Sequence, residues 1–230
     1  MILAAGRGER MRPLTDTLPK PLAGVRGRPL IVYHLEKLAR LGVRRVVINL
    51  AWLGPTLRAA LGDGAAWGLS IHYSDEGAQA LDVGGGIFHA LPWLGEAPFL
   101  VISADIFTEL DFAALAIAPG DLAQLSLVHN PEHHRQGDFD LAADGRVLEP
   151  TEPAPRPFTY AGIGLFRREL FQGCEPGKFP LLPPLRRAIA ARRLGGQLHE
   201  DFWCNVGTLA QLAALQHGVI GASAKMSPAT

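Results

Sequence analysis

Three short apolar segments in the first half of the chain constrain the fold more than any other feature of the sequence. "VRRVVINL" (43–50), "LSIHYS" (69–74) and "PFLVISAD" (98–105) are rich in the branched apolar residues that are typical of buried strands. Helical patterns occupy the chain between them, so strands and helices alternate. This alternation predicts a mostly parallel sheet that is covered by helices on both faces.

The predicted helices carry their own start and stop signals. "PLIVYHLEKLARLG" places Ile31, Leu35 and Leu38 on one helical face, with Pro29 in the first turn and Gly42 just past the end. "GGGIFHALPWL" predicts a glycine turn that leads into a second helix. In such a fold ligands bind at the carboxyl ends of the parallel strands.

The second half of the chain has a different pattern. "DFDLAADGRVLEP" predicts a hairpin around Asp144 and Gly145, and a strand, "FTYAGIGLF", follows a proline-rich loop. "LPPLRRAIAARR" and a segment beginning near Thr208 predict two more helices. We expect one domain over residues 1–221 and a disordered tail over residues 222–230.

Composition excludes several classes of protein. Lys plus Arg and Asp plus Glu both total 22, so a nucleic-acid binder that relies on general charge attraction is not expected. The two cysteines, Cys174 and Cys204, form no disulfide framework, which favours a reducing cytoplasm. No segment approaches the roughly 20 apolar residues that span a bilayer, so no membrane partner is expected. Composition does not indicate an oligomeric state.

The start of the chain is apolar but short. Gly6 and Arg7 interrupt "MILAA", so this segment is too short for the apolar region of a signal peptide. We therefore expect a cytoplasmic protein. The first strand must also be short, and the sequence leaves open whether the natural start lies at Met1 or a few residues upstream.

"LAAGRGERMRPLTDTLPKPL" (3–22) is the strongest candidate for a functional loop. It lacks the third glycine of a dinucleotide-binding loop, because Met11 stands there, and it does not match GxxxxGK[ST]. Glycine lets backbone N–H groups approach phosphate oxygens closely, and Arg10 and Lys20 add formal positive charge. Proline on both sides of Lys20 restricts its backbone. A solvated turn is the alternative for the two glycines alone, whereas the whole segment favours a phosphate-binding loop.

This segment resembles the conserved loop of the sugar-1-phosphate nucleotidyltransferase family nearly residue for residue, with Glu9 in place of the usual threonine. The similarity continues through "GGGI", the strand that ends at Asp105, and "WCNVGT". The resemblance implies a single-domain, three-layer Rossmann-like α/β nucleotidyltransferase fold with a mostly parallel central sheet and a smaller antiparallel part that binds the sugar. It also implies a transferase that forms a nucleoside-diphosphate sugar and pyrophosphate from a nucleoside triphosphate and a sugar 1-phosphate.

Within the family, "INLAWLG" and "NPEHHRQGDFDL" are most similar to the uridylyltransferases of cell-wall (peptidoglycan) recycling. The resemblance therefore implies UTP and N-acetylmuramate 1-phosphate as the preferred substrates. Guanylyl- and thymidylyltransferases that act on mannose or glucose 1-phosphate have the same loop, so other sugars and bases stay open.

The resemblance also assigns roles to individual residues. The catalytic cations are Arg10 and Lys20; the nucleotide contacts are Ala5, Gly6, Arg7, Gly8, Gly84 and Gly85; the sugar contacts are Ser103, Asp138 and Gly162; and the Mg²⁺ ligands are Asp105 and Asn205. From the residues alone, Gly84 and Gly85 also suit a tight loop at a helix start, and Asp105 also suits a helix N-cap. A hard cation such as Mg²⁺ fits the neutralisation of phosphate charge.

Two further positions, besides Glu9, depart from the family pattern. Asn205 stands where the family has its second metal-binding aspartate, and Ser103 replaces an asparagine. An amide oxygen ligates Mg²⁺ without contributing charge, so weaker metal binding is expected. A non-catalytic nucleotide-sugar sensor is therefore the second hypothesis, and a nucleotide-dependent dehydrogenase is a third.

The histidines of "NPEHHRQGDFD" raise the question of a zinc site. His133 and His134 are adjacent, so their side chains point apart on a strand, and no third ligand has metal-site spacing. Zinc is therefore not expected here.

Overall fold

The computed structural model describes residues 1–149 and 155–218. The helices in this part are α1 (Leu30–Arg40), α2 (Gly54–Leu61), α3 (Asp82–Leu94), α4 (Leu182–Ala190) and α5 (Leu209–Gln216). The strands are β1 (Ile2–Leu3), β2 (Gly24–Val25), β3 (Arg28–Pro29), β4 (Arg45–Leu50), β5 (Ser70–Asp75), β6 (Phe99–Ser103), β7 (Ile106–Thr108), β8 (Ala123–His129), β9 (Asp140–Leu141), β10 (Val147–Leu148), β11 (Phe158–Phe166), β12 (Leu194–Leu198) and β13 (Trp203–Asn205).

A seven-stranded sheet in the order β12-β8-β11-β6-β1-β4-β5 forms the centre of the fold. Strands β6, β1, β4 and β5 pair in parallel, as do β8 and β12. Only β11 runs antiparallel to its neighbours, β6 and β8. Three small antiparallel pairs, β2-β3, β7-β13 and β9-β10, lie outside this sheet. The expected mostly parallel sheet with a smaller antiparallel part is confirmed.

The helices cover both faces of the sheet. Successive strand residues point to opposite faces: Val47 packs in a cluster with Ile87 and Leu185 from α3 and α4, whereas Ile48 packs with Leu35 and Leu57 from α1 and α2. The result is the three-layer arrangement that the alternation of elements predicted.

A third apolar cluster joins the loop after β1 to the end of the described chain. It contains Met11 and Val25 from the N-terminal part, Phe107 from β7, and Val206 and Leu212 from the C-terminal part. This packing carries the segment around residue 205 to the edge of the sheet where the loop lies.

Most elements expected from the sequence are present, including the hairpin around Asp144 and Gly145, which is β9-β10. One expectation is wrong: the glycine triplet is no turn before a helix, because α3 begins at Asp82 and residues 84–86 lie inside it. Strands β8 and β12 were not predicted. The Pro-rich loop in part (residues 150–154), the last residues of the expected domain (219–221) and the expected tail (222–230) lie outside the described residues.

Candidate active site

A cavity of about 270 Å³ opens at the carboxyl ends of β1, β4, β5 and β6. This is the position where a parallel α/β sheet binds its ligands. Its lining comes from the loop after β1 and from the residues that follow the other strands. The lining includes Ala5, Gly6, Gly8, Lys20, Asn49, Glu76, Asp82, Val83, Ser103 and Asp105. Five residues predicted separately from the sequence as loop or metal contacts, together with Ser103, therefore share one cavity.

The two loop glycines are needed for different reasons. Gly8 adopts a left-handed conformation with φ of 66°, and a Cβ there would lie 2.9 Å from Cγ2 of Thr15. The Thr15 hydroxyl donates to the Gly8 carbonyl at 2.8 Å, which fixes the turn. At Gly6 φ is not positive, and a Cβ would meet nothing within 4 Å. The chain itself therefore does not require glycine at position 6, and the space beside it opens on the cavity.

Lys20 and Asp105 form an ion pair across the cavity. Lys20 Nζ lies 2.5 Å from Asp105 Oδ2, and the two side chains are 12% and 29% exposed. Lys20 comes from the loop and Asp105 follows β6, so residues 85 positions apart meet at the edge of the sheet. This site thus holds a cation and a carboxylate, both partly shielded from water.

Asn49 and Glu76 form a second polar pair in the cavity that sequence reasoning did not identify. The Asn49 amide donates to Glu76 Oε1 at 2.7 Å and accepts the Ala4 N–H at 2.7 Å. Burial raises the pKa of Glu76, opposed by hydrogen bonds from the Leu81 N–H and from Asn49. A signal was present, since Asn49 is a polar residue in the apolar run 46–50, near the carboxyl end of β4.

Arg10, Asp138 and Asn205 line a neighbouring cavity of about 300 Å³. Arg10 lies against the chain near Asn205, because a Cβ on Gly207 would be 2.8 Å from Arg10 Nη2. Asp138 accepts the Tyr160 N–H at 2.8 Å, and its other oxygen lies 3.0 Å from His134 Nε2. The predicted catalytic cations therefore line two different cavities.

Asp105 and Asn205 suit a hard cation. The two segments are joined by the Val206 N–H, which donates to the Asp105 carbonyl at 2.8 Å, and by the pairing of Asn205 with Ile106. Asn205 Oδ1 is buried and has no hydrogen-bond partner among the described residues. No group of three or more His, Cys, Asp and Glu residues in that part of the chain could hold a metal. Mg²⁺ often uses one or two carboxylates plus substrate phosphates, so this sparse donor set fits it.

Four predicted contacts line neither of these two cavities. Cβ atoms on Gly84 and Gly85 would collide with the chain at Phe179 and at the Gly177 carbonyl, so these glycines allow α3 to pack against residues 177–180. Gly162 lies against Ser103, where a Cβ would come within 3.0 Å of its Oγ.

Arg7, the fourth, stacks over the Trp52 ring at 4.2 Å from the ring centroid. The indole N–H of Trp52 donates to the Thr15 carbonyl at 2.9 Å, which ties this pair to the loop. Nucleotide contacts by Arg7, Gly84 and Gly85 and a sugar contact by Gly162 stay predictions, as do the roles assigned to the residues that line the cavities.

The two adjacent histidines lie in a short 3-10 helix, Glu132–His134, and not on a strand as the sequence argument assumed. His134 contacts Asp138, and His133 Nδ1 lies 3.4 Å from Gln211 Nε2. Both rings therefore have partners within the chain. Among the helices of residues 1–149 and 155–218, none has the length and apolar character needed to cross a membrane.

Comparison with known proteins gives a consistent result. The family model described as "Nucleotidyl transferase" matches residues 1–219. The chain is 47% identical over 222 residues to the N-acetylmuramate alpha-1-phosphate uridylyltransferase of Neisseria meningitidis serogroup B, covering 94% of this chain and 96% of that one. It is 38% identical to the protein of the same name from Caulobacter vibrioides, covering 93% and 94%. A Bacillus anthracis protein solved in complex with sucrose superposes with a TM-score of 0.82 at 19% identity, over 99% and 96% of the two chains.

Proposed function

This chain belongs to the nucleotidyl transferase family, and we propose that it transfers a uridylyl group from UTP to N-acetylmuramate 1-phosphate, releasing pyrophosphate. The observation that carries the proposal is the Lys20–Asp105 ion pair in the glycine-lined cavity at the carboxyl edge of the sheet. A cation beside a carboxylate next to open space at Gly6 suits a phosphate chain and its counter-ion.

The reaction needs no proton transfer to the protein. A phosphate oxygen of the sugar 1-phosphate attacks the α-phosphorus of the triphosphate in line. The bond to that oxygen forms while the bond between the α-phosphorus and the bridging oxygen breaks, and pyrophosphate leaves with the electron pair. The attacking phosphate is already ionised near neutral pH, so the protein contributes position and charge.

Several residues of the two cavities have a part in this scheme. Backbone N–H groups of residues 5–8 orient the triphosphate, and Lys20 and Arg10 offset the negative charge that develops on it. Asn49 and Glu76 define the polar wall of the nucleotide cavity. Asp105 and Asn205 would hold Mg²⁺, which supplies charge neutralisation at the α-phosphate and the departing pyrophosphate.

The choice of substrates is supported by the two relatives that are 47% and 38% identical over nearly the whole chain. A role in peptidoglycan recycling follows from the same substrate. We place the reaction in the cytoplasm, where UTP is made and where free cysteines such as Cys174 and Cys204 persist.

A non-catalytic sensor is the competing function, and Asn205 is the observation behind it, because the amide brings no charge to the metal. The test follows pyrophosphate release by the wild type and by Asn205→Asp, with Mg²⁺ and a matrix of nucleoside triphosphates and sugar 1-phosphates. We expect release by the wild type that is highest with UTP and N-acetylmuramate 1-phosphate, and saturation of Asn205→Asp at a lower Mg²⁺ concentration. If the wild type releases no pyrophosphate with any pair of substrates while Asn205→Asp does, the proposed enzymatic function is refuted.

A further inference from the structure

A third cavity, which we call the lateral pocket, opens beside the nucleotide cavity with a volume of about 360 Å³. It shares Asp82 and Val83 with the nucleotide cavity, and it shares Asp138 and Tyr160 with the cavity around Arg10. The lateral pocket therefore adjoins both places where substrate phosphates would lie. A group held in it would remain attached to the reacting sugar phosphate.

The lining of the lateral pocket combines apolar and charged side chains. Its apolar wall, as we call it, consists of Phe139, which precedes β9, and of Leu181 and Leu185 at the start of α4. Two guanidinium groups, of Arg156 and Arg186, also line the pocket, together with the carboxylates of Asp82, Asp138 and Glu149. Small methyl groups suit the apolar wall, and an anion suits a guanidinium group that has no carboxylate partner.

The two arginines differ in their partners. Arg186 is bound to Glu149 at 2.5 Å, so its charge is already matched. Arg156 forms no ion pair with a carboxylate of the described residues, and its Nε is buried without a hydrogen-bond partner there. A buried guanidinium nitrogen that is left unpaired is costly. A ligand carboxylate or phosphate is the partner that its forked geometry fits.

The backbone of Arg156 is held in place by the segment that carries Asp138. Its N–H donates to the Gln136 carbonyl at 2.8 Å, and its carbonyl accepts from the Asn130 amide. A Cβ on Gly137 would lie 2.5 Å from that carbonyl, so the two segments are in close contact. The base of the side chain is therefore fixed before a ligand arrives.

We propose that the lateral pocket binds a carboxylate-bearing substituent of the sugar and that Arg156 is the residue that selects it. This inference rests on the proposed function and extends it, since N-acetylmuramate is a hexosamine with a lactyl ether that ends in a carboxylate. The lactyl carboxylate pairs with Arg156, while the methyl groups of the lactyl and acetyl substituents lie against the apolar wall. Asp138, whose oxygens are engaged by Tyr160 and His134, does not compete for the guanidinium.

The test compares N-acetylmuramate 1-phosphate with its lactyl methyl ester and with N-acetylglucosamine 1-phosphate, which lacks the lactyl group. Calorimetric titration and steady-state kinetics are run with the wild type, Arg156→Gln and Arg156→Lys. We expect the wild type to favour the free acid over the ester by about tenfold or more. Arg156→Gln should bind acid and ester within about twofold, with an unchanged KM for UTP, and Arg156→Lys should recover part of the preference.

Arg192→Gln is the matched control, because Arg192 is exposed, is bound to Asp144 and does not line the pocket. It should keep the wild-type preference. If Arg156→Gln retains the acid preference, or if the wild type has none, the proposal is overturned. If Arg156→Gln fails to fold, the wild-type comparison of acid and ester and the partial preference of Arg156→Lys are the results that support or overturn it. If the wild type binds the acid through Arg156 but releases no pyrophosphate, the proposed function fails and this inference stands.

Discussion

At the residue scale, Gly6 and Gly8 belong to one sequence pattern but are needed for different reasons. Gly8 is required by backbone conformation and by contact with Thr15, whereas Gly6 faces open space. Glycine at position 8 is therefore a requirement of folding. The open space beside Gly6 is room that a ligand would use.

Alanine at each position tests this difference. We expect Gly8→Ala to lower the free energy of unfolding by about 1–2 kcal/mol, since an L-residue is forced into the left-handed region, and to shift Thr15. Gly6→Ala should leave the unfolding midpoint unchanged but weaken triphosphate binding about tenfold, because small displacements of a bound group are costly. Urea denaturation and calorimetric titration with UTP measure the two effects.

Gly24→Ala is the control, since φ there is not positive and a Cβ meets nothing within 4 Å, away from the cavity. It should change neither quantity. Equal losses of stability in Gly6→Ala and Gly8→Ala would show that both glycines serve the fold alone.

Residue chemistry explains which site members the sequence could predict. Arg10, Lys20 and Asp105 stand in or next to recognisable segments, so a linear pattern indicates them. Asn49 and Glu76 belong to no such segment, and they meet only because β4 and β5 pair in parallel with their carboxyl ends at one edge. The pairing of the strands, and no local sequence pattern, therefore brings these two side chains together.

At the scale of elements, periodicity predicted α1, β4, β5, β6 and β11, because each has a strong apolar pattern. Strand β12 was missed because two glycines at its centre weaken the strand pattern. The glycine triplet was wrongly predicted to lie in a turn before α3, for a related reason. Glycine is typical of turns, but in α3 it is tolerated because Gly84 and Gly85 let residues 177–180 pack closely.

Helix α1 carries a titratable group in the core. His34 is buried and stacks on the ring of Phe112, and burial lowers the pKa of its imidazole to about 4. The nearby Lys37 charge acts in the same direction, and Asp105 opposes it. The ring is therefore neutral in the folded protein, whereas it binds a proton near pH 6.5 in the unfolded chain.

This difference predicts a loss of stability in acid. As pH falls from about 6.5 towards 4, the unfolded chain gains a proton that folded His34 does not, so the free energy of unfolding decreases. Relative to His34→Leu, we expect the wild type to lose about 2 to 3 kcal/mol more between pH 7 and pH 4.5. Urea denaturation at the two pH values measures it, with exposed His217→Leu as control. Parallel stability curves for the wild type and His34→Leu would contradict the burial argument.

At the scale of the whole molecule, the fold class could be predicted because alternation of strands and helices is local in sequence. The arrangement of the site could not be predicted in this way, because it depends on closure, that is, on contacts between segments far apart in the sequence. The apolar cluster of Met11, Phe107, Val206 and Leu212 brings the end of the described chain back to the first loop. This closure sets Asn205 beside the segment of Asp105 and sets Gly207 against Arg10.

The central claim is that this closure builds a phosphoryl-transfer site around Lys20 and Asp105. The most direct measurement is kcat for pyrophosphate release from UTP and N-acetylmuramate 1-phosphate by the wild type, Lys20→Met and the control Lys178→Met, whose lysine lies outside both phosphate cavities. We predict that Lys20→Met lowers kcat about 100-fold or more, as expected for loss of a group that stabilises transition-state charge. The unfolding midpoint of Lys20→Met should stay close to that of the wild type, and the kcat of Lys178→Met should be unchanged. A Lys20→Met enzyme with wild-type kcat would contradict the account.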